Sequence, residues 1–576
     1  MVKWNLSEIY NFEDTDKILA KIKRKVKKAK SFRKELKNSL NEKRFMEILK
    51  ELESIGTLSA KLSGYASLWL TEKTDSSERN THDAKISQAL TELGNELIFF
   101  GLWFKELNQK DADRFIKSSG KYAYHLKSVR QFKKYTLKEN EEQIINIKDL
   151  TGDESITRFY DIITNSFLFD FEGKKVTQAD IVTYVRHPSA KKRELAYKNL
   201  LKKYKENDAI LGEIYKSLVQ SWVNENVGIR KFKSPISARN LGNDIDDKIV
   251  DTMLNVVRKN IPIFHEYFKL KAKLLGYKKL SRFHIYAPIK KSETKYTYKE
   301  GKDLVLNTYK EFSELAHTYA KEIFDLKHFD SEVKQGKQNG AFCSSISKNI
   351  APYILQSYNG KISDVFTMMH EFGHGIHGRA ARDQTEFTFH SSTPMAETAS
   401  IFGETLLEKK MLKQSNKKDK ISILMRSLDD KYASIIRQAY IVVFEKLIYD
   451  KINQGCTIEE INKYYLENLK EQFGNSVEIP DIFQHEWKYI LHFFHYPFYC
   501  YSYAFGNLLA LSFYGIYEEQ GEKFVDNYMN VLAAGGSDSP QNIIKKELGL
   551  NITKELFWQK AFDLIRKDLN ELKKLV

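Results

Sequence analysis

Apolar residues recur at three- and four-residue intervals along most of the chain, the spacing of helices that bury one face. Ile18, Leu19, Ile22 and Val26 form one stripe, and Phe45, Ile48, Leu49 and Leu52 form a second. The pattern predicts a break at Ile55–Thr57 and a new helix over Leu58–Leu70. A further helix is expected from Ala84 to about Leu107, capped by Asp83 and carrying Ile86, Leu90, Leu93 and Leu97. No proline interrupts the chain before Pro188. Residues 1–110 are therefore expected to form antiparallel helices, and 111–190 a further helical unit that closes at His187-Pro188. Ser189 is the expected cap of the helix opening a third region, 191–576, which includes Asp247–Val257 and Tyr267–Leu275.

Two stretches depart from this spacing. Gly340–Ile346 and Pro352–Tyr358 are short, bounded by Gly or Pro, and read as strands. In the second, Tyr353, Leu355 and Ser357 alternate with Ile354, Gln356 and Tyr358, and Asn359-Gly360 is a turn signal. Helical spacing resumes at Phe366, Met369 and Phe372, with Ser363 as the expected cap. Lys417–Tyr449 follows behind Asn416, and Thr553–Leu575 should close the chain with Phe557, Ala561, Leu564, Ile565 and Leu572 on one side. Gly535-Gly536-Ser537 reads as a linker between helices, the alternative being a turn over a cleft. No period of 20–50 residues indicates a solenoid. The expected fold is mainly α with a small β-sheet.

Composition narrows the function classes. The 576 residues are 42% hydrophobic and 29% charged, enough for a large core under a solvated surface. The 92 Lys+Arg against 76 Asp+Glu give a net charge of +16. The densest basic run, Lys21–Lys30, is interrupted by Ile22, Val26 and Ala29 at helical spacing, so it describes the wet face of a helix, and no nucleic-acid partner is expected. No stretch approaches 18 uncharged apolar residues, so no membrane partner is expected. The opening MVKWNLSEIYNFEDTDK has no apolar core and does not read as a secretory signal. Cys343, Cys456 and Cys500 cannot form a disulfide framework, which points to a reducing, cytoplasmic setting. Cys500, although close to histidines, reads as a small buried apolar residue. A homo-oligomer is compatible with all of this.

The sharpest signal is His370-Glu371-Phe372-Gly373-His374. On a helix, positions i and i+4 lie about 40° apart around the axis and about 6 Å apart along it. Both imidazoles can then hold one zinc, with Glu371 just off the pair where it reaches a water at the metal. A third protein ligand leaves one position open, and Glu397, in Pro394-Met395-Ala396-Glu397-Thr398, is the choice, with Pro394 where its helix could start. Glu404, two turns beyond, is a candidate to orient a ligand histidine, and Asp364 is another. His377 shares the face of His374. It reads as an adjacent polar wall residue, because three ligands within two helical turns would strain tetrahedral directions. Gly373, Gly375 and Gly378 each cost helix propensity, for close approach of a backbone or a substrate, or for tight packing alone.

Seven of the 14 histidines fall between His370 and His495. The run from His492 to Gly506 adds Tyr496, Tyr499, Tyr501 and Tyr503. Peptide hydrolysis needs a donor for the oxyanion that forms when water attacks a carbonyl, and a phenol or imidazole supplies it. His492, Tyr499 and Tyr503 are the candidates, with Tyr496 and Tyr501 as rivals or substrate contacts. No phosphate-binding loop or dinucleotide glycine pattern is present.

These motifs resemble the oligoendopeptidase F branch of the thimet oligopeptidase family of zinc metallopeptidases. The resemblance rests on Asp364-Val365-Phe366-Thr367 leading into His370–His377, on Ala396–Ser400, on the His492–Gly506 block and on Pro352–Gly360. It implies a zincin-like helical body with a deep substrate channel, an oligopeptidase F type unit at 111–190 and a catalytic domain over 191–576. It also implies one zinc per chain on His370, His374 and Glu397, Glu371 as base and proton shuttle, and a histidine and tyrosine from the late block at the oxyanion. Short unfolded peptides are the implied substrates. Tyr353, Leu355 and Ser357, on the expected cleft strand, are the expected backbone-pairing positions. A zinc carboxypeptidase and a catalytically silent peptide-binding protein are the rival readings.

Overall fold

The computed structural model describes residues 3–288 and 295–576; residues 1–2 of the expected N-terminal region and 289–294 of the expected catalytic region lie outside it. The chain is predominantly helical, 73%, with small sheets. No described helix is long and apolar enough to cross a membrane.

Seven short strands make three sheets among the described residues. β1 (Phe169–Phe171) and β2 (Lys174–Val176) form a hairpin, while β3 (Leu280–Ser281) pairs in parallel with β7 (Val477–Glu478). The third sheet has the order β4 (Phe329–Asp330), β6 (Tyr353–Gln356), β5 (Ala341–Ser344). β6 is its centre, parallel to β4 and antiparallel to β5, with Cys343 opposite Ile354.

The chain divides into two compact units, each drawn from three stretches. The first comprises Met1–Lys133, Glu293–Met411 and Phe513–Asn551; the second comprises Lys134–Ser292, Leu412–Ser512 and Ile552–Val576. In the first, the helix Thr15–Ser31 buries Leu19, Ile22 and Val26, the predicted stripe. The helix Glu42–Thr71 runs without the break expected at Ile55–Thr57. Gly56 costs that helix about 1 kcal/mol of propensity. Burial of Ile48, Leu49, Ile55 and Leu62 along one face outweighs it, at about 1.5–3 kcal/mol for each large side chain. Asp83 is interior to the helix Ser77–Asn95, whose cap is Ser76, and a separate helix, Ile98–Glu106, follows. Tyr353 and Leu355 of β6 join the core that these N-terminal helices build.

In the second unit, Asn416 caps the helix Lys417–Lys431 as expected, with its side chain accepting from the Asp419 N–H. A π-helical turn, Tyr432–Ile436, then joins it to the helix Arg437–Asn453. Ser189 caps Ala190–Glu206, and the closing helix Glu555–Leu575 buries Phe557, Ala561, Leu564, Ile565 and Leu572.

Candidate active site

The motif helix, Ile362–Ala380, starts one residue before the expected cap Ser363. Asp364 stops the chain from fraying there: its Oδ2 accepts from the N–H of Asn359 at 2.7 Å and of Lys361 at 3.2 Å. This carboxylate is a cap in the first turn, and none of its hydrogen bonds goes to a histidine. Inward faces of the helix carry Met369, Phe372 and Ile376, and Phe372 stacks on Phe324 at 4.2 Å.

Gly373 explains how a second segment reaches the motif. A Cβ there would lie 2.5 Å from Ser400 Cα and 2.6 Å from Ala399 O, both backbone. Close backbone approach is therefore its purpose, and it brings in the turn that carries Glu397, between Thr393–Ala396 and Thr398–Gln414. Gly373→Ala should lower stability by about 1–3 kcal/mol through overpacking, although alanine is the better helix former. Thermal melting together with metal titration checks this, and an unchanged Tm would refute the packing argument.

His370 Nε2 lies 3.3 Å and His374 Nε2 3.5 Å from Glu397 Oε2. One ligand atom from each of the three falls within 4.8 Å of the others. Nδ1 of His370 contacts Glu404 Oε1 at 2.6 Å, so the imidazole is fixed from both nitrogens. Burial alone would lower His370, but Glu397 and Glu404 at its two nitrogens hold it well above its ordinary value. Burial likewise pushes the Glu397 carboxyl up, and its contacts with His370 and His374 outweigh that and hold it below the usual carboxylate range. Two carboxylates converging on two imidazoles make a site that calls for a cation, and the donor set suits zinc. Removing the orienting carboxylate, Glu404→Ala, should weaken metal affinity about 10–100-fold while leaving the three ligands in place. Competition against a chelating dye would measure it.

Glu371 is buried, 6% exposed, and faces a cleft of about 580 Å³ beside the three ligands. Burial raises its carboxyl above the ordinary value, more than the neighbouring His370 and His374 lower it. His377 lines the same cleft as the expected wall residue and is hydrogen-bonded to the backbone of Ala396. Burial first, then the fields of His374 and His390, push it down to about 4, so it is neutral near pH 7.

The opposite wall differs from expectation. Tyr353 and Leu355 are fully buried, and Tyr353 donates to Asn5 O at 2.9 Å and stacks on His328 at 3.8 Å. β6 is also paired on both sides, so neither Tyr353 nor Leu355 sits on a free edge, and Ser357 lies just beyond the end of the strand. Among the described residues β4 and β5 are the edge strands of this sheet, and of the two it is β5 whose residues, Ala341–Ser344, line the cleft. Sequence reasoning found both strands but not their order, which no periodicity encodes. It also missed Phe389 and His390, which complete the wall. Gly535-Gly536 backs them: Gly536 N–H donates to Thr388 O at 2.9 Å, and a Cβ at Gly535 would lie 2.7 Å from that oxygen. The glycines join two helices as expected, but they also form a close-packed support for the cleft wall.

The late block belongs to the second unit. There His492 lies nearly parallel to Tyr499, with centroids 6.0 Å apart, and edge-on to Tyr503 at 5.8 Å. Tyr503 OH and His492 Nε2 are 3.4 Å apart. Burial, then the charges of Arg437 and His495, lower His492 below its ordinary value. Tyr496 is half exposed. Tyr501 is fully buried and accepts from Asn243 Nδ2 at 2.7 Å, which makes it a core residue and not a substrate contact. His495 is paired with Asp161 at 2.8 Å.

Comparison with known proteins agrees with this geometry. The model of peptidase family M3 matches residues 183–564, and that of oligopeptidase F matches residues 103–169. An oligoendopeptidase F homolog of Borreliella burgdorferi is 29% identical, covering 100% of this chain and 98% of that protein. The chromosomal oligoendopeptidase F of Lactococcus lactis subsp. cremoris is 30% identical over 70% of this chain and 67% of its own length. A crystal structure from Chlamydophila abortus superposes with a TM-score of 0.89 at 25% identity, covering 100% of this chain and 98% of that one. Oligoendopeptidase-F from Enterococcus faecium shares the fold, with a TM-score of 0.72 at 19% identity over 98% and 99% of the two chains. With the family model spanning more than half of the sequence, and His370, Glu371, His374 and Glu397 gathered within that span, the chain belongs to peptidase family M3.

Proposed function

We propose that this protein is a zinc-dependent endopeptidase that cleaves internal bonds of short, unfolded peptides in the cytoplasm. The observation that carries the reading is the convergence of His370, His374 and Glu397 beside a buried Glu371 in one cleft. The names of its oligoendopeptidase relatives support the substrate class, and three free cysteines support the compartment.

His370, His374 and Glu397 would hold the metal, one ion per chain, with Glu404 orienting His370. A zinc ion there supplies Lewis acidity that makes water nucleophilic at neutral pH and polarises the scissile carbonyl. Glu371 takes the proton from the attacking water and returns it to the leaving nitrogen, so one carboxyl acts as base and then as acid. The outer edge of β5 offers main-chain donors and acceptors to an extended peptide, which reads backbone more than side chains. His492, Tyr499 and Tyr503 are the groups we assign to the oxyanion and the substrate backbone, on their place in the motif order and their mutual contacts.

The test is mass spectrometry of a peptide pool with blocked and free ends, incubated with the zinc-loaded protein. Internal cuts in end-blocked peptides are expected. Release of residues from free C-termini alone would make the protein a carboxypeptidase, and an untouched pool would leave peptide binding without turnover.

A further inference from the structure

Five non-glycine residues have positive φ among the described residues: Glu172, Lys231, Asp244, Lys327 and Phe498. Four are polar or charged; Phe498, at φ 56°, is the bulky apolar one and is 1% exposed. A large side chain in the left-handed region is strained and persists only where its surroundings impose it. Here they do. Phe498 N–H donates to Glu445 Oε1 at 2.8 Å, and the ring packs on Tyr449 at 4.5 Å. One residue earlier, Pro497 O accepts from Arg239 Nε at 2.8 Å.

Glu445 is itself out of place. It is 1% exposed within the helix Arg437–Asn453. Burial pushes its carboxyl up to about 8, with the Phe498 N–H and the charge of Arg239 opposing this only in part. An acid buried this way is unfavourable, as is the bend it holds. Both costs fall on one short turn, and that turn separates His492 from Tyr499 and Tyr503. Immediately after it, the Tyr499 ring lies parallel to His492 and edge-on to Tyr503 at 5.3 Å.

We propose that Glu445 and Arg239 are positioning residues that clamp the Pro497–Phe498 bend and so set Tyr499 against His492 and Tyr503. The inference rests on the reading that these three groups serve the substrate. A left-handed Phe498 turns the chain sharply between the short helix His492–His495 and the helix Tyr501–Gln520, and the clamp keeps that turn from relaxing. Glu445 accepts the Phe498 N–H through one oxygen, Oε1, and burial favours its uncharged form, so a glutamine can make the same contact. Arg239 lies over the Trp222 ring at 5.7 Å, so a methionine would keep its stem packed while removing the donor and its charge.

The experiment compares Glu445→Leu, Glu445→Gln and Arg239→Met in the zinc-loaded enzyme, with an internally quenched peptide and the metal content measured in each. Glu445→Leu and Arg239→Met should lower kcat about tenfold, with KM within about threefold and zinc content unchanged. Glu445→Gln should stay within about twofold of the parent, and Glu445→Leu should cost less in a Tyr499→Phe background than alone. Parent-like kcat in a folded Glu445→Leu protein, or equal damage from Gln and Leu, would overturn the clamp. If Glu445→Leu does not fold, Arg239→Met decides the matter on its own. His492→Gln, Tyr499→Phe and Tyr503→Phe run alongside. If all three match the parent, the reading of the late block fails and takes the clamp with it. If they lower kcat while Arg239→Met and a folded Glu445→Leu do not, the clamp alone fails.

Discussion

Glu371→Gln is expected to lower kcat about 10²–10⁴-fold, the range for loss of a general base. The substitution keeps the shape of the side chain and removes its basicity. It leaves His370, His374 and Glu397 intact, so zinc content should match the parent, which separates this variant from one that has lost the metal. The pH profile carries a second signature. A base works deprotonated, so activity is present above its pKa and lost as pH falls through it. Burial raises Glu371 above the ordinary carboxylate value and the charge of a zinc ion beside it would oppose this, so the acid limb of kcat/KM should follow this one carboxyl with the metal in place. Residual turnover by the Gln variant should lose that limb. Turnover within tenfold of the parent, with the limb intact, would mean that another group takes the proton.

The second large effect concerns the ligands. His374→Ala removes one of three donors and should drop both metal content and activity, the latter by about 10³-fold or more, since Lewis-acid stabilisation is worth several kcal/mol. Chelation of the parent should reproduce the loss, and added zinc should restore the parent but not the variant. Stability should follow by linkage: a ligand at a thousandfold excess over its Kd contributes about 4 kcal/mol, so the melting temperature of the parent should fall on chelation. The variant's should not. A zinc-replete, fully active His374→Ala protein would remove this residue from the ligand set.

The motif helix and its three ligand candidates were legible because they depend on local spacing: i and i+4 on one helix, then a Pro-initiated turn that returns a carboxylate. What escaped depends on which segment packs against which. Pro352–Tyr358 alternates as a strand should, yet alternation does not say whether a strand is central or at an edge, and the edge strand that lines the cleft is β5. Tyr501 reads like Tyr499 and Tyr503, but it lies two residues before Tyr503 on the same helix, about 200° around the axis, and meets Asn243 in the core. The continuous helix through Gly56 escaped for another reason: propensity argued locally for a stop, and tertiary burial of Ile55 and Leu62 overrode it. The bend at Phe498 left no composition signal at all, since the residue in the left-handed region is neither Gly nor Asn.

The interleaving of the two units bears on how the enzyme comes to life during synthesis. The ligands and Glu404 lie in the middle stretch of the first unit, whereas the helix Glu522–Ala533 that packs on the motif helix belongs to its last stretch. At about 5–20 residues per second, the roughly 120 residues between them delay that support by about 6–24 s. Gly535-Gly536, which backs Thr388–His390, arrives later still. A nascent chain therefore carries the hydrolytic residues and the cleft lining before it carries the helix and the glycines that pack behind them, and full support of the cleft is a late event.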